Sequence, residues 1–365
     1  MLTALIITKG FHPPWNQGEV VATRNFVKVL SRIYDKVLVL SLIDRARGFE
    51  SSWKPNFPNV KVVYVNTVQS LASICGVAQS LYDLHVANIS LLDVSRGFFR
   101  KANRIYLYLY ALKNVRAIST IFRTLGLLLG STVYRKLQII TTSPMVYRVA
   151  CKLHSNTFYV PTPIEVPASL PKRDTNVATI LCLTHADYVR FPIDKIMPAI
   201  AMLVREGFKF HVSVVFSQAF KDYQTMLNLT RSILDKYGLR KVASVPAKDL
   251  GEKDKQILFT GSHIFLYPAL CESAVDPPLT ILEAMAYGLC IVATKVQSIP
   301  YVVGYGKRGI LLSRPTSSNL YRALKVCLVN KAMLIKHSYN AWLYIRQVHD
   351  ETSVAKYLEK LIHQR

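Results

Sequence analysis

Short apolar segments typical of β-strands alternate with amphipathic helical segments along most of the 365-residue chain. Strands joined by helices predict parallel sheets that are covered by helices on both faces. In the first half of the chain, the predicted strands are Leu2–Thr8, Lys36–Leu42, Val60–Val65, Leu84–Ala87, Ile105–Leu109, Gln138–Thr141 and Thr157–Val160. The predicted helices of this half are Val20–Ile33, Ser70–Ser80, Val115–Leu129 and Met145–His154.

The same alternation begins again at Ala178. The predicted strands are Ala178–Leu183, 209–216, 241–245, Ile264–Tyr267 and Leu289–Ala293, and the predicted helices are 192–206, 220–237, 249–260, 277–287, 316–330, 332–347 and 351–364. Residues 160–176 carry four prolines and no periodicity, which is typical of a linker.

We therefore predict an α/β protein with two Rossmann-like, doubly wound parallel-sheet domains facing a cleft. The predicted domains are 1–163 and 177–345, with a linker over 164–176 and a terminal helix, 346–365, that packs back on the first domain. Ligands of such sheets bind at the carboxyl ends of the strands.

Hydropathy and cysteine spacing exclude several classes of protein. A hydrophobic content of 51% suits two buried cores, and the apolar runs are shorter than the roughly 18–20 residues that cross a bilayer. The first residues, MLTALIITKGF, predict a strand rather than a signal peptide, so we expect a cytoplasmic protein. The six cysteines have no CxxC spacing, so neither a zinc site nor a disulfide framework is indicated.

The net charge of +24 implies an anionic partner. No acid occurs between Asp93 and Glu165, and large apolar residues are interleaved with the bases there. This mixture predicts peripheral contact with an anionic membrane surface on the inner face of the cell membrane. An ordinary solvated basic face is the alternative. No nucleic-acid-binding motif accompanies the charge, so nucleic acid is not an expected partner. The bases of this region are Arg96, Arg100, Lys101, Arg104, Lys113, Arg116, Arg123, Arg135, Lys136, Arg148 and Lys152.

Residues 264–294 show the pattern of a strand, an acidic loop, a helix and a second strand. We predict that Asp276 caps the helix and that Pro277 is its first residue, while Gly288 ends it. The start of such a helix is an anion site, because its first amides are unpaired and its dipole is positive there. Glu283 lies on nearly the same face as Asp276, where it could accept hydrogen bonds from a ribose. The alternative is an ordinary βαβ unit with a surface acid.

Two other loops precede predicted helices. Gly18 stands before the first helix, where glycine allows close approach of a ligand to the backbone. His185 and Arg190 follow the strand that begins at Ala178, and an arginine there could pair with phosphate oxygens. Taken alone, each is equally consistent with a plain turn or a surface charge.

The run LEAMAYGLCIVATKVQSIPYVVGYGKRGILL, residues 282–312, resembles a known family pattern, LEAMA-GTPVVAT-VGGIPEVV-DG-NGLLV. The pattern is that of the GT-B glycosyltransferases of the large retaining group called family four. The segment PPWNQGEVVATRNFVKVL near the start is similar to the first loop and helix of that family. The resemblance implies a GT-B fold and a metal-independent, retaining enzyme of the hexosyltransferase class.

The resemblance also implies the ligands. The donor would be a nucleotide sugar, UDP- or GDP-linked, with no cofactor. The acceptor would be a glycan or a polyisoprenoid-phosphate-linked sugar, in the synthesis of surface polysaccharide or of glycoprotein glycans.

Roles follow from the resemblance position by position. Glu283 matches the glutamate that binds the ribose hydroxyls, and the amides of Leu279 and Thr280 fall where the family holds the diphosphate. Arg190 falls at the position of a phosphate-binding lysine, and His185 at that of its partner arginine. Gly18 corresponds to the glycine near the diphosphate.

The chain departs from the family in the acidic loop. Val275 stands at the position of the family's first glutamate, and Pro277-Pro278 replaces a Phe-Gly pair. Glu272 and Asp276 are the nearby acids that could contact the donor sugar, and the sequence does not choose between them. A glycosyltransferase-like binding protein without catalytic activity is therefore the alternative function.

The acceptor side has one candidate, the segment YDLHVAN at 82–88. Asp83, His85 and Asn88 would lie at the end of a strand, where they could contact an acceptor. A structural role for His85 is the alternative. The candidate catalytic residues are thus Arg190, Glu272, Asp276 and His85.

Overall fold

The computed structural model describes residues 2–11, 18–43, 56–65, 81–87, 96–111, 135–173, 177–217, 223–246 and 251–363. They form two compact units. The first unit comprises Met1–Pro163, Ala274–Asp276 and His349–Arg365, and the second comprises Ile164–Ser273 and Pro277–Val348. The predicted helices Ser70–Ser80 and Val115–Leu129 lie outside the described residues, as does Asn88.

The first unit is built on a seven-stranded parallel sheet with the order β3-β2-β1-β4-β5-β6-β7. Its strands are β1 (Thr3–Lys9), β2 (Lys36–Leu42), β3 (Val60–Val65), β4 (Tyr82–Val86), β5 (Ala102–Leu109), β6 (Leu137–Thr141) and β7 (Thr157–Tyr159). Its helices are α1 (Gly18–Leu30), α2 (Arg96–Lys101), α3 (Pro144–Ala150) and α11 (Glu351–His363).

The core of this unit lies along the central strands, where apolar residues such as Leu5, Leu84 and Ile139 are buried together. The terminal helix α11 packs against α1. At that contact the Glu351 carboxylate forms ion pairs with Lys28 Nζ at 2.6 Å and with Arg32 Nη2 at 2.7 Å. The last helix is therefore a part of the first unit.

The second unit is built on a six-stranded parallel sheet with the order β10-β9-β8-β11-β12-β13. Its strands are β8 (Ala178–His185), β9 (Phe210–Ser217), β10 (Ala243–Ser244), β11 (Ile264–Tyr267), β12 (Cys290–Thr294) and β13 (Gly309–Leu312). Its helices are α4 (Ile193–Arg205), α5 (Tyr223–Lys236), α6 (Glu252–Gly261), α7 (Leu279–Ala286), α8 (Ile299–Val302), α9 (Ser317–Val329) and α10 (Lys331–Val348), with a 3₁₀ turn at Gly304–Gly306.

The predicted pair of parallel-sheet α/β domains is confirmed. Differences are local: β13, α2 and α8 were not predicted, because each is only four to six residues long and too short for a periodic pattern. The predicted strand 241–245 shortens to the two residues of β10.

The proline-rich segment after Pro163 packs on the second unit. The Arg173 guanidinium donates to the carbonyls of Thr260 at 3.1 Å and Gly288 at 3.3 Å, and also to that of Tyr287. Trp342 Nε1 donates to the Pro167 carbonyl at 3.3 Å. Among the described residues, no helix combines the length and the hydropathy that crossing a bilayer requires.

Candidate functional site

The order of the second sheet reverses between β8 and β11, which lie side by side. In an open parallel sheet, ligands bind outside the carboxyl ends of the strands at such a switch point. Two loops begin there: the β8 loop, residues 186–192, and the β11 loop, Pro268–Ser273. The sequence-predicted residues His185, Arg190 and Glu272 all lie in these loops or directly beside them.

Asp187 shapes the β8 loop. Its carboxylate accepts a hydrogen bond from the Arg190 amide at 2.7 Å, and its carbonyl accepts from the Phe191 amide at 3.0 Å. A second contact, at 3.6 Å, joins Asp187 Oδ2 to Arg190 Nη1. Because Phe191 is fully buried, this turn places Arg190 between the end of β8 and the start of α4, as predicted.

The positive charge of Arg190 affects the pKa of side chains in or beside both loops. Burial, together with the positive charge of Arg190, lowers the pKa of His185 to about 3. Burial raises the pKa of Tyr267 to about 12 and also raises that of Cys271, while Arg190 opposes both shifts. His185 is therefore neutral near pH 7.

Hydrogen bonds with the β8 loop, with β12 and with the segment after β12 hold the β11 loop. Leu270 N donates to the Val189 carbonyl at 2.7 Å, which joins the two loops directly. Thr294 Oγ1 donates to the Ala269 carbonyl at 2.6 Å, and the Gln297 side-chain amide bonds the backbone of Ser273. Glu272 is exposed in this loop.

Helix α7 begins at Leu279 with Pro278 as its cap residue, so the prediction that Asp276 caps it is wrong. The reason is the Pro-Pro pair: a residue before proline is driven out of the helical region, so Pro277 cannot start the helix. No side chain caps α7. Leu279 and Thr280 are its first two residues, as the diphosphate assignment requires, and Glu283 is half-buried one turn later.

Asp276 belongs to the first unit, not to the site around α7. Its carboxylate is fully buried and accepts a hydrogen bond from Ser143 Oγ at 2.6 Å. The Asp276 amide donates to the Tyr110 carbonyl at 2.7 Å, and its carbonyl accepts from Thr142 Oγ1 at 3.0 Å. Of the two acids, Glu272 belongs to the second unit, as Arg190 does, and Asp276 does not.

His85 lies inside β4 rather than at its end, and only 1% of it is exposed. Its Nδ1 lies 2.9 Å from Tyr108 Oη and its Nε2 lies 3.3 Å from Tyr34 Oη, while its ring stacks on Tyr106 with centroids 4.6 Å apart. Burial lowers its pKa to about 3. Asp83 is buried too, and accepts from Tyr34 Oη at 2.9 Å. These contacts fit the structural role left open for His85, not contact with an acceptor.

Gly18 is the first residue of α1. A side chain there would meet Val275 Cγ2 at 3.1 Å, so close packing against Val275 favours glycine at this position. Within the described ranges, no group of three or more His, Cys, Asp or Glu side chains is arranged to hold a metal ion.

Comparison with known proteins adds a family match over part of the chain and a shared fold. Residues 225–330, which include β11, the acidic loop and α7, match the family described as glycosyl transferases group 1. No curated protein matches the sequence. The whole chain is similar to solved structures that share its architecture.

Three solved structures illustrate the likeness. Anabaena HepE in complex with UDP and glucose has a TM-score of 0.74 at 13% identity, over 100% of both chains. A glycosyltransferase from Rickettsia africae has a TM-score of 0.75 at 12% identity, over 99% of this chain and 98% of that one. Sucrose-phosphate synthase from Thermosynechococcus elongatus has a TM-score of 0.74 at 12% identity, over 100% of this chain and 99% of that one.

Residues 225–330 thus match the glycosyl transferases group 1, and the whole chain has the two-sheet fold of these solved structures. The resemblance stated from residues 282–312 is thereby confirmed, and the family match extends well upstream of that run. The candidate site consists of the loops at the β8–β11 switch point and the start of α7.

Sequence reasoning missed two residues of this site, Asp187 and Gln297. Asp187 had a signal, because an acid three residues before Arg190 is typical of a side-chain-stabilised turn. Gln297 also had one, since the family pattern carries glycine where Gln297 stands.

Proposed function

We propose that this protein is a retaining glycosyltransferase that moves a sugar from a nucleotide-sugar donor to a glycan or lipid-linked acceptor. The observation that carries the proposal is the convergence of Arg190, Glu272 and the β8 and β11 loops at the switch point of the sheet. The family match over residues 225–330 supports it. UDP-glucose is the first donor to try, because HepE was solved in complex with it.

The proposed chemistry follows from charge. Breaking the bond between the sugar and the diphosphate leaves negative charge on the nucleoside diphosphate, which fixed donors must stabilise. Arg190 supplies a permanent positive charge, and the first amides of α7 supply hydrogen bonds and the positive end of a dipole. Neutral His185 supplies a hydrogen bond. Glu283 binds the ribose hydroxyls, and Glu272 contacts the sugar.

In this proposal no metal takes part. The acceptor hydroxyl attacks from the face that the diphosphate leaves, and a diphosphate oxygen takes its proton. Configuration at the anomeric carbon is then retained.

Calorimetric binding of UDP and UDP-glucose, with GDP and GDP-mannose in parallel, tests the donor site. We expect Arg190→Ala and Glu283→Ala to weaken binding at least 10-fold, since each removes a charge-assisted hydrogen bond. Arg205→Ala is the matched control, because Arg205 is exposed at the far end of α4. Equal affinities in all three variants would refute the assignment.

The second candidate is a nucleotide-sugar-binding protein without turnover. It is favoured by Val275 at the position of the family's first glutamate and by the burial of Asp276. Transfer or hydrolysis of the bound nucleotide sugar separates the two functions. Tight binding with no release of nucleoside diphosphate above the Arg190→Ala background would support the second.

We also propose peripheral contact of the first unit with an anionic membrane. On α3 the side chains of Met145, Tyr147 and Val149 are 41%, 36% and 42% exposed, and Arg148 and Lys152 are exposed beside them. Cosedimentation with phosphatidylserine vesicles should exceed that with phosphatidylcholine vesicles and fall with salt. Equal binding to both kinds of vesicle, or preference for duplex DNA, would refute it.

A further inference from the structure

Gln297 has a left-handed backbone, with φ of 48°, three residues after the end of β12. Residues other than glycine rarely adopt this backbone conformation, so a residue that keeps it is held by its surroundings. The family pattern quoted above has glycine here. A chain that carries glutamine instead accepts backbone strain and gains a side-chain amide.

That amide binds both backbone groups of one residue in the β11 loop. Gln297 Oε1 accepts a hydrogen bond from the Ser273 amide at 2.9 Å, and Gln297 Nε2 donates to the Ser273 carbonyl at 3.2 Å. A side chain that pairs with both groups restricts the position and the orientation of Ser273 together.

Two further bonds hold the other end of the loop. The Ala269 carbonyl accepts from Thr294 Oγ1 at 2.6 Å, and the Leu270 amide donates to the Val189 carbonyl at 2.7 Å. Cys271 and Glu272 are the only residues between Leu270 and Ser273. The backbone of Glu272 is therefore fixed on both sides.

We infer that Gln297 is a positioning residue that holds Glu272 for contact with the donor sugar and so sets discrimination among sugars. The inference rests on the proposed donor site. Fixing the loop before binding removes part of the ordering cost that a flexible acid would impose on the complex. It predicts that Gln297 affects recognition of the sugar while the nucleoside diphosphate, held by Arg190 and α7, is bound as before.

The experiment compares UDP with UDP-glucose, and GDP with GDP-mannose, by calorimetry in wild type and variants. Gln297→Gly removes both bonds to Ser273 and accommodates the left-handed backbone. We expect the dissociation constant of the nucleotide sugar to rise about 10-fold, while that of the nucleoside diphosphate changes less than about 2-fold. Gln297→Glu keeps an acceptor for the Ser273 amide but cannot donate, so its effect should be intermediate.

Tyr305→Gly is the matched control. Tyr305 is the other described non-glycine residue with a left-handed backbone, φ of 52°, and is 75% exposed in the turn before β13. Its replacement relaxes the same kind of strain without touching the β11 loop. Both dissociation constants should stay at the wild-type value.

A double-mutant cycle with Glu272→Ala tests whether Gln297 acts through Glu272. In the Glu272→Ala background, Gln297→Gly should produce no further change in nucleotide-sugar affinity. Additive losses, an equal loss for nucleotide sugar and nucleoside diphosphate, or no loss would each overturn the inference. If wild type binds neither kind of ligand, the proposed function and this inference both fail. If it binds both kinds equally, the nucleotide site stands and this inference fails.

Discussion

The Asp276 carboxylate accepts a hydrogen bond from the Ser143 hydroxyl at 2.6 Å, and Ser143 in turn accepts from the Val146 amide at 3.0 Å as the cap of α3. A buried acid thus holds the residue that starts a helix. This relationship gives Asp276 a role in stability and leaves Glu272 as the acid exposed in the β11 loop.

Asp276→Ala should lower the free energy of unfolding of the first unit by about 3 kcal/mol, because it leaves buried polar groups without their acceptor. Asp276→Asn keeps an oxygen for Ser143 and should cost about 1 kcal/mol. Urea unfolding measures both. Glu272→Ala is the control, and its stability should change by less than about 0.5 kcal/mol. A reversed order, with Glu272→Ala the less stable protein, would contradict the assignment.

Arg173 should stabilise the second unit through the C-terminal ends of α6 and α7, where it donates to carbonyls that no helix amide can reach. Burial lowers its pKa to about 10, so it is still charged at neutral pH. Arg173→Met should lower the free energy of unfolding by about 2 kcal/mol. Lys172→Met removes the same charge from an exposed neighbour and should have little effect. Similar losses in the two variants would point to net charge instead.

Gly288 and Gly238 both have left-handed backbones, with φ of 68° and 66°. A side-chain carbon at Gly288 would meet Leu170 Cδ2 at 2.2 Å, whereas nothing lies within 4 Å of one at Gly238. Gly238→Ala should therefore cost about 1 kcal/mol from backbone strain alone. Gly288→Ala should cost about 2 kcal/mol more, because Leu170 must move. Thermal unfolding of the pair measures the difference, and equal losses would exclude the packing contribution.

Stability should fall in acid through His185. Its folded pKa of about 3 lies below the ordinary value of 6.5, so between these values the unfolded chain binds a proton that the folded chain does not. The stabilisation is complete above pH 6.5 and is lost as the pH falls toward 3, by at most about 1.4 kcal/mol per pH unit.

Comparison with His185→Asn isolates this proton. Asp83, whose pKa is raised by burial, titrates with the opposite sign, but it is present in both proteins and cancels in the difference. The difference in free energy of unfolding between wild type and variant should be constant from pH 8 to 7 and should shift against wild type from pH 6 to 5. A difference independent of pH would show that the pKa of His185 is the same in the folded and the unfolded protein.

Local patterns predicted the elements well where a segment's own residues decide its conformation. The strands Lys36–Leu42 and Val60–Val65 have the predicted bounds, because segments rich in β-branched residues favour strands without reference to the rest of the chain. The position of Arg190 in a loop was also predicted, because the strand before it and the helix after it have recognisable local patterns. The start of α7 was predicted wrongly. The presence of Pro278 in the sequence already excluded Pro277 as the first helical residue, because a residue before proline disfavours the helical conformation.

The sequence by itself determined two parallel α/β sheets, the resemblance to a glycosyltransferase family and the two acids proposed for contact with a donor sugar. Only the tertiary structure distinguished those two acids. Asp276 is buried against Ser143, which is 133 residues away along the chain. Glu272 is exposed, and the next residue, Ser273, is held by Gln297, which is 24 residues from it. Burial and hydrogen-bond partners come from residues that are distant in sequence, so no local pattern near either acid carries that information.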